Sequence, residues 1–221
     1  MRTRSCFVRK QTRCKNQIKA LLAFYGYRVP EERLERYWSR AYIRWIESLV
    51  MERPAGQQAL QSLISELLFL RQTIARINRQ IRELARQEPY AAVVPHISSV
   101  SGVSLLAAMV FVVEVVEIER FASLDELSSY FGLIPGERSS GENQLFTGIT
   151  HRRNANLRHV IIECAWAAQR EDPALLHAFT QLSRRMPKNR AIVRIARKLL
   201  NRGRFAWKNR QPYVVGVAAT C

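Results

Sequence analysis

The sequence predicts a mainly α-helical protein in which a long coiled-coil helix precedes a compact helical domain. The first observation behind this prediction is an apolar repeat from Leu60 to Leu84 whose spacings alternate between three and four residues, the a/d pattern of a coiled coil. The second is a series of further apolar stripes with helical periodicity, bounded by proline or glycine. The third is a content of 48% hydrophobic residues in a chain of 221, which can fill a core. We expect a helical, coiled-coil region at 1–89 and a second domain at 90–221.

Three helices are expected in the first region. The segment from Arg4 to Tyr25 places apolar and basic residues on opposite sides, and Gly26 follows it as a helix stop. Pro30 is typical of a first helical turn, so it predicts a second helix that runs to about Met51. The third is the long helix, which we expect to end at Pro89.

The long helix carries an apolar seam on one side and arginines on the other. An a/d stripe favours partner helices, which belong either to the same chain or to a second copy of it, so a homo-oligomer is one expectation. The arginines either face solvent, as most charged helix faces do, or contact phosphate. The seam consists of Leu60, Leu63, Leu67, Leu70, Ile74, Ile77, Ile81 and Leu84. The outer arginines are Arg71, Arg76, Arg79, Arg82 and Arg86.

A glycine turn begins the second domain. Ile97 to Val103 lies between apolar segments and resembles the turn of a helix-hairpin-helix module, in which backbone amides beside a glycine, here Gly102, hold a DNA phosphate. Leu105 to Ile118 is rich in valine, yet its position after the turn favours a buried helix. Ser123 and Glu126 have the spacing of a capping box and predict the start of the next helix.

Three more helices are predicted in the last third of the chain. One spans Asn156 to Gln169, and Asp172 with Pro173 caps another that extends to about Arg185. Pro187 precedes the last helix, which has an apolar stripe opposite a basic face. Because no acidic residue is interspersed on that face, we expect it to contact DNA. The residues predicted to do so are Arg194, Arg197 and Lys198.

Between these helices, the segment from Tyr130 to Arg158 is rich in glycine, serine and arginine. Its glycines and proline break a helix, so Ser139 and Ser140 are expected on an irregular loop. Gly141 beside them allows the close approach of a phosphodiester, and guanidinium groups match phosphate oxygens. The pattern fits a hydroxyl nucleophile beside a phosphate clamp; the alternative is a polar loop with surface arginines. The arginines are Arg138, Arg152, Arg153 and Arg158.

The charge of the chain is strongly positive and unevenly distributed. Lys and Arg number 35 against 18 Asp and Glu, a net charge of +17. The first nineteen residues contain seven basic and no acidic residues, and no Asp or Glu occurs from Pro173 onwards. Such a balance indicates a polyanionic partner, most simply nucleic acid. A basic structural RNA-binding protein or a membrane-surface protein would share this charge.

The remaining composition favours a cytoplasmic protein without a membrane segment. Cys6, Cys14, Cys164 and Cys221 have neither disulfide-framework nor zinc-site spacing, so reduced thiols are expected. The longest apolar run is shorter than the roughly twenty residues that a spanning helix needs. His151 lies near the arginines and is either a general base for a serine or, as the more common case, a surface histidine.

Six motifs in a fixed order resemble one protein family. They are the serine and glycine pattern of Ser98–Ser104, Arg120-Phe121, Tyr130–Pro135, Ser139–Glu142, Gly148–Thr150, and Leu157-Arg158. Together they resemble the C-terminal transposase domain of the bridge-RNA-guided insertion-sequence transposases, and the similarity extends over about 95–213. A weaker similarity at Val8–Gly26 resembles the helix that follows the nuclease domain in that family.

The resemblance implies a site and a reaction. A serine hydroxyl attacks a DNA phosphodiester and gives a phosphoserine-linked intermediate. Ser140 is favoured because it directly precedes Gly141, whereas family members with Ser-Thr-Gly favour Ser139. Asn154 stands where the family commonly has glycine, and asparagine also tolerates left-handed backbone. A guide RNA is implied as a partner by the resemblance alone.

The same family has a RuvC-like nuclease domain with four acidic metal ligands, which is expected before the first helix and is not found there. The sequence contains only two aspartates, Asp125 and Asp172. We therefore expect no cofactor in this chain, and Mg²⁺ only with the missing domain. The expected function is that of the C-terminal part of a DNA transposase, truncated and not active alone. The alternative is a non-catalytic nucleic-acid-binding or oligomerisation module derived from a transposase.

Overall fold

The computed structural model describes residues 1–30, 37–140, 143–149 and 154–215, and for 135–140 and 143–149 it describes the backbone only. Within these ranges the protein is mainly α-helical, as the sequence predicts. The chain divides into two compact units, Met1–Gln80 and Ile81–Cys221. The expected domain boundary at residue 89 stays a prediction. No helix in the described ranges is both long enough and apolar enough to cross a membrane.

The first unit contains helix α1 (Arg2–Phe24), helix α2 (Arg40–Glu47) and most of helix α3 (Pro54–Leu84). Helices α1 and α3 are antiparallel. Arg4 Nε donates a hydrogen bond to Asn78 Oδ1 at 2.6 Å, Cys14 Sγ donates to a carbonyl in the middle of α3 at 3.3 Å, and the Tyr25 ring lies against Gly56. The prediction that α1 ends at about Tyr25 is confirmed, since Tyr25 is its C-cap and Gly26 has a φ of +75°.

The apolar seam of α3 packs against helices of its own chain. Leu60, Leu67 and Leu70 are buried together with residues of α1 and α2. Ile64 is buried more deeply than Leu63, so the buried face is broader than an a/d stripe. Of the two partners that the sequence allowed, the described part of the chain shows the intramolecular one. The other residues of this core are Cys14, Ile18, Leu22, Tyr42, Ile43, Ile46 and Met51.

The predicted second helix, from Pro30 to Met51, is wrong in its extent. Residues 31–36 lie outside the described ranges. The helix that follows them starts only at Arg40, because Trp38 has a φ of +65°, which no α-helix accommodates. Ser39 then acts as the N-cap, and its Oγ accepts a hydrogen bond from the Tyr42 N–H at 3.1 Å.

The second unit contains α4 (Val94–Ser98), α5 (Leu105–Val115), α6 (Leu124–Phe131), β1 (Pro135–Ser140), β2 (Asn143–Ile149), α7 (Ala155–Glu171), α8 (Pro173–Ser183) and α9 (Lys188–Asn209). Its helices form a bundle around α7 and α9, which pack against each other. Helix α8 packs against both α7 and α9. Helix α4 packs on α9, and helix α5 packs on α7. Phe111 of α5 makes edge-to-face contacts with Phe131 and Trp207 at centroid distances of 5.2 and 5.6 Å, which fills the space between α5, α6 and α9.

Most of the predicted helix starts in this unit are confirmed. Ser123 Oγ accepts from the Glu126 N–H at 3.1 Å, and the Glu126 carboxylate accepts from Ala122 N rather than from Ser123 N, so the capping box is formed with a one-residue difference. Asp172 caps α8 and Pro187 precedes α9, as predicted. The valine-rich segment after the glycine turn is a helix, as its position indicated.

The serine-bearing segment is not an irregular loop. Strands β1 and β2 form an antiparallel hairpin in which Ser139 pairs with Gln144 and Ser140 with Asn143. A register irregularity lies between Pro135 and Glu137, where the proline cannot donate a ladder hydrogen bond. The prediction was wrong because the glycines and the proline were interpreted only as helix breakers, although they also permit a hairpin.

Candidate functional site

The two serines predicted as nucleophiles are the last two residues of strand β1. Their backbone pairs with the first two residues of β2, so they lie at the end of the hairpin that is remote from the helices. Gly141, which follows them, lies outside the described ranges. Arg138 pairs with Leu145 on the same hairpin, while Arg152, Arg153 and the predicted general base His151 lie outside the described ranges.

Helix α6 leads into the hairpin through a left-handed glycine. Gly132 is the C-cap residue with a φ of +68°, and its N–H donates to the carbonyls of Ser128 and Ser129, which is a glycine C-cap. The guanidinium of Arg158, a half-buried residue of α7, donates to the Gly132 carbonyl. Arg158 was predicted to bind DNA. In the structure its guanidinium links α7 to Gly132, at the point where the chain enters the hairpin.

The chain leaves the hairpin region through Asn154, the N-cap of α7. Its Oδ1 accepts from the N–H groups of Asn156 and Leu157 at 3.2 and 3.1 Å, and its own N–H donates to the Tyr130 carbonyl at 3.0 Å. Asn154 has a φ of −78°, so this position is a helix cap and not the left-handed residue that the resemblance suggested.

A buried carboxylate completes this anchor. Glu114 of α5 has 8% of its surface exposed, and its Oε2 accepts from Asn154 Nδ2 at 2.8 Å. Its other oxygen is 3.5 Å from Asn156 Nδ2, and its backbone carbonyl accepts from the Tyr130 hydroxyl at 2.9 Å. Helices α5, α6 and α7 are therefore joined where the hairpin leaves and rejoins the bundle. A buried carboxylate needs such donors, because burial without them is costly.

Glu114 was not among the residues predicted to be functional. The signal was present, since Glu114 is the only charged residue in the eleven-residue helix LLAAMVFVVEV. A single carboxylate in a buried apolar helix predicts a specific polar partner. The identity of that partner, forty residues further along the chain, could not be deduced from spacing.

The basic face of α9 is divided between structural contacts and exposed charges. Arg197 pairs with Asp125 of α6, and Arg202 pairs with the buried Asp172 at 2.6 Å. Arg194 and Lys198 are exposed and form no ion pair with any described residue. Of the three cations predicted to contact DNA on this helix, two are thus available to an anion and one is already paired.

Gly102 lies in the predicted turn with a φ of +76°. Its N–H donates to the carboxylate of Glu171 at 2.8 Å. A Cβ at this position would come within 2.4 Å of the Ala168 backbone nitrogen, so the turn packs directly on α7. A phosphate that binds this amide, as the sequence predicted, has to displace Glu171.

The described cysteines are free thiols, and two of them are buried. Cys164 is buried, and burial, together with the neighbouring Glu163, raises its pKa to about 11. Cys6 and Cys14 are also free thiols, the first exposed and the second buried. Within the described ranges, no three His, Cys, Asp or Glu side chains are grouped as ligands for a metal ion.

Part of the second unit is similar to a known protein family. Residues 94–181 match the family described as "Transposase IS116/IS110/IS902 family". This part of the second unit is therefore similar to the transposases of that family. The matched segment begins at helix α4 and ends in α8, so it includes the serine hairpin, Glu114 and Asn154. It does not include the first unit or α9.

Individual relatives extend the similarity beyond the matched segment. Protein y4qE of Sinorhizobium fredii is 33% identical over 75% of this chain and 38% of its own length. The transposase for insertion sequence element IS1111A of Coxiella burnetii is 27% identical over 90% of this chain and 54% of its own length. The transposase for insertion sequence element IS1328 of Yersinia enterocolitica is 22% identical over 74% of this chain and 47% of its own length. The chain thus spans between about two fifths and three fifths of the length of the curated relatives that it matches.

Proposed function

We propose that this chain acts on DNA as the C-terminal part of a transposase and that its hairpin supplies a serine nucleophile for strand exchange. The observation that carries the proposal is the anchored hairpin within the segment that matches the transposase family. Its entry is bound by Arg158 at Gly132, and its exit is bound by Glu114 at Asn154. A reactive hydroxyl has to be held in place relative to its substrate, and a fixed hairpin base serves that purpose.

The proposed reaction is a transesterification. The serine Oγ attacks the phosphorus of a phosphodiester, an Oγ–P bond forms, and the bond from phosphorus to one deoxyribose oxygen breaks. The hydroxyl proton leaves the serine, and the released deoxyribose oxygen takes up a proton. The phosphoserine ester keeps the energy of the broken bond, so attack by a second deoxyribose hydroxyl rejoins DNA and regenerates the serine. Either Ser139 or Ser140 carries this role, and we favour Ser140 as the neighbour of Gly141.

DNA contact is proposed for Arg194 and Lys198, which are exposed cations on one side of α9. Neutralisation of phosphates by such residues releases counterions and gives salt-dependent binding. Arg138, Arg152, Arg153 and the amide of Gly102 remain proposed contacts of the same DNA. The RuvC-like domain, its Mg²⁺ and a guide RNA are proposed as parts of the complete system that are supplied outside the described residues. A homo-oligomer through α3 is also a proposal.

DNA binding is tested with the full chain by fluorescence anisotropy on a labelled duplex over a range of salt concentrations. The Arg194→Gln, Lys198→Gln double variant is expected to bind more weakly, and the slope of log affinity against log salt should decrease by about 2, since each phosphate contact contributes roughly 0.9. The control removes two exposed arginines of α3, Arg76 and Arg79. An equal loss in both variants would contradict a defined DNA contact on α9.

A second candidate function is a non-catalytic nucleic-acid-binding module. It is favoured by the exposed cations of α9, which bind phosphate whether or not a serine reacts. The two functions differ in one measurement. Supercoiled DNA is incubated with the chain and the product of any RuvC-like reading frame adjacent to it in its genome, and the mixture is denatured. Protein that remains linked to DNA in the wild type, and not in the Ser139→Ala, Ser140→Ala double variant, supports the enzyme; DNA binding without linkage supports the module.

A further inference from the structure

Three cations of the first unit converge on two aromatic residues. Lys15 and Lys19 are one turn apart on α1. Lys15 Nζ lies 5.5 Å from the centroid of the Trp38 ring, and Lys19 Nζ lies 4.1 Å from the centroid of the Tyr37 ring. From the other side, Arg71 of α3 donates through Nη1 to the Trp38 carbonyl at 3.1 Å. The segment Tyr37-Trp38 is thus bordered by positive charge from two helices.

These cations repel one another. The pKa of Lys15 is lowered, first by burial and then by the charges of Arg71 and Lys19. None of the three residues forms an ion pair with a described residue. Like charges held together without a counter-charge destabilise a fold. An anion bound between the three cations would offset this repulsion.

The aromatic residues form a cluster beneath the cations. The Tyr42 ring contacts those of Tyr37, Trp38 and Trp45 at centroid distances between 5.0 and 5.4 Å. The Tyr42 hydroxyl is buried and makes no hydrogen bond with any described residue. Trp38 has a φ of +65°, a conformation that costs free energy for a residue with a side chain. Strain, a hydroxyl with no hydrogen bond to a described residue and cations with no ion pair to a described residue, all at one place, are typical of a binding site and not of a solvated helix face.

We propose that Lys15, Lys19 and Arg71 bind consecutive phosphate groups of a nucleic-acid strand, in a site separate from the segment that matches the transposase family. The proposal rests on the proposed function for the kind of partner, since a chain with a net charge of +17 that acts on DNA meets phosphodiesters first. Aromatic side chains beside a basic path are the arrangement by which single strands are bound without sequence preference. The matched family segment starts at residue 94, so it assigns nothing to this unit.

The test uses the full chain and the Lys15→Met, Lys19→Met double variant. Methionine keeps an unbranched apolar side chain over the rings and removes the charge. The matched control, Arg9→Met with Arg13→Met, removes two exposed charges from the same helix. Affinity is measured for a labelled oligothymidylate of about 20 nucleotides, and thermal unfolding is followed with no ligand, with the same oligonucleotide and with inorganic phosphate.

Three results are expected together. The double variant binds the oligonucleotide roughly tenfold more weakly than the control, as the loss of two phosphate contacts implies. Its Tm without ligand is equal to or above that of the wild type, because the repulsion is relieved. The oligonucleotide raises the Tm of the wild type more than that of the double variant.

Other results would overturn the proposal in distinct ways. Equal affinities of the double variant and the control would show that the cluster is not a strand site. A lower Tm of the double variant without ligand would show that the cations stabilise the free protein, either through their contacts with the rings or through acidic residues such as Glu31, Glu32 and Glu35, which precede Tyr37 in the sequence. Stabilisation by inorganic phosphate and not by the oligonucleotide would indicate a free-anion site. The proposed function is tested by other results: it fails if the wild-type chain binds no DNA, if the variants of α9 have no effect, or if the DNA linkage does not depend on Ser139 and Ser140.

Discussion

The carboxylate of Glu114 accepts a hydrogen bond from the side-chain amide of Asn154 at 2.8 Å, across forty residues of sequence. The first residue lies in a buried helix, and the second begins the helix that follows the serine hairpin. This contact sets where the hairpin rejoins the bundle. It also means that the geometry of the proposed active site depends on a residue with no role in the chemistry.

Asn154→Asp tests this contact by placing one carboxylate against another. Aspartate caps a helix as well as asparagine does, so α7 keeps its cap while the interaction with Glu114 changes from attraction to repulsion. We expect a loss of about 3 kcal/mol in the free energy of unfolding at neutral pH, the scale of an unpaired buried charge. Chemical denaturation measures it. With Asn154→Ser as the control, which keeps a capping hydroxyl without charge, the loss should be near 1 kcal/mol; equal losses would contradict a specific contact with Glu114.

Gly102→Ala tests how closely the glycine turn packs on α7. Both Gly102 and Gly26 have φ near +76°, but a Cβ at Gly102 would lie 2.4 Å from the Ala168 nitrogen, whereas a Cβ at Gly26 meets nothing within 4 Å. Gly26→Ala should therefore cost only the backbone strain of about 1 kcal/mol. Gly102→Ala should cost at least about 3 kcal/mol, because backbone must move. Hydrogen exchange should accelerate in α7 only for Gly102→Ala, and unchanged exchange there would refute the close packing.

Glu171→Gln tests whether the Gly102 amide contacts DNA. The Glu171 carboxylate accepts a hydrogen bond from this amide at 2.8 Å, so a phosphate that binds the amide competes with the carboxylate. If the amide binds DNA, removal of the charge should raise affinity by more than the same change at Glu163, an exposed residue of the same helix. Anisotropy on one duplex compares the two variants. Equal effects would assign Gly102 a packing role alone.

Thiol reactivity follows from burial. The raised pKa of Cys164, about 11, leaves roughly one thiol in a thousand as thiolate at pH 8. In a Cys221→Ser background, we expect maleimide to modify the exposed Cys6 within minutes and Cys164 far more slowly, as intact mass spectrometry shows. Because folding raises the pKa of Cys164, its neutral form contributes stability below pH of about 8.5, and this contribution is lost as the pH rises towards 11. Rapid labelling of Cys164 at pH 8 would contradict its burial.

The parts of the fold that could be predicted were those with local signals. Helices α1 and α9 have apolar stripes and clear ends, and Asp172 before Pro173 marks a helix start. The interruption of the predicted second helix at Trp38 had no such local signal. Its positive φ accompanies the packing of the tryptophan and the hydrogen bonds made by Ser39 and Arg71. Tertiary contacts here override helix propensity.

The sequence led to a prediction of the site residues, which stays a prediction, and it did not indicate the backbone geometry around them. Ser139 and Ser140 were proposed from the sequence, but the hairpin was missed although a glycine next to the serines is also a hairpin signal. The anchoring by Glu114 depends on a long-range contact that periodicity does not encode. The pairing of Arg197 with Asp125 was missed for the same reason.

We propose that Ser139 or Ser140 of the hairpin becomes covalently linked to DNA. The most direct measurement is mass spectrometry of the protein recovered from the denatured reaction of supercoiled DNA with the complete system, after the DNA has been digested to its last nucleotide. We predict that the nucleotide is attached to the proteolytic peptide that contains Ser139 and Ser140, and that changing the modified serine to alanine removes the linkage. A nucleotide attached to any other peptide, or a linkage that persists in the double alanine variant, would contradict the account.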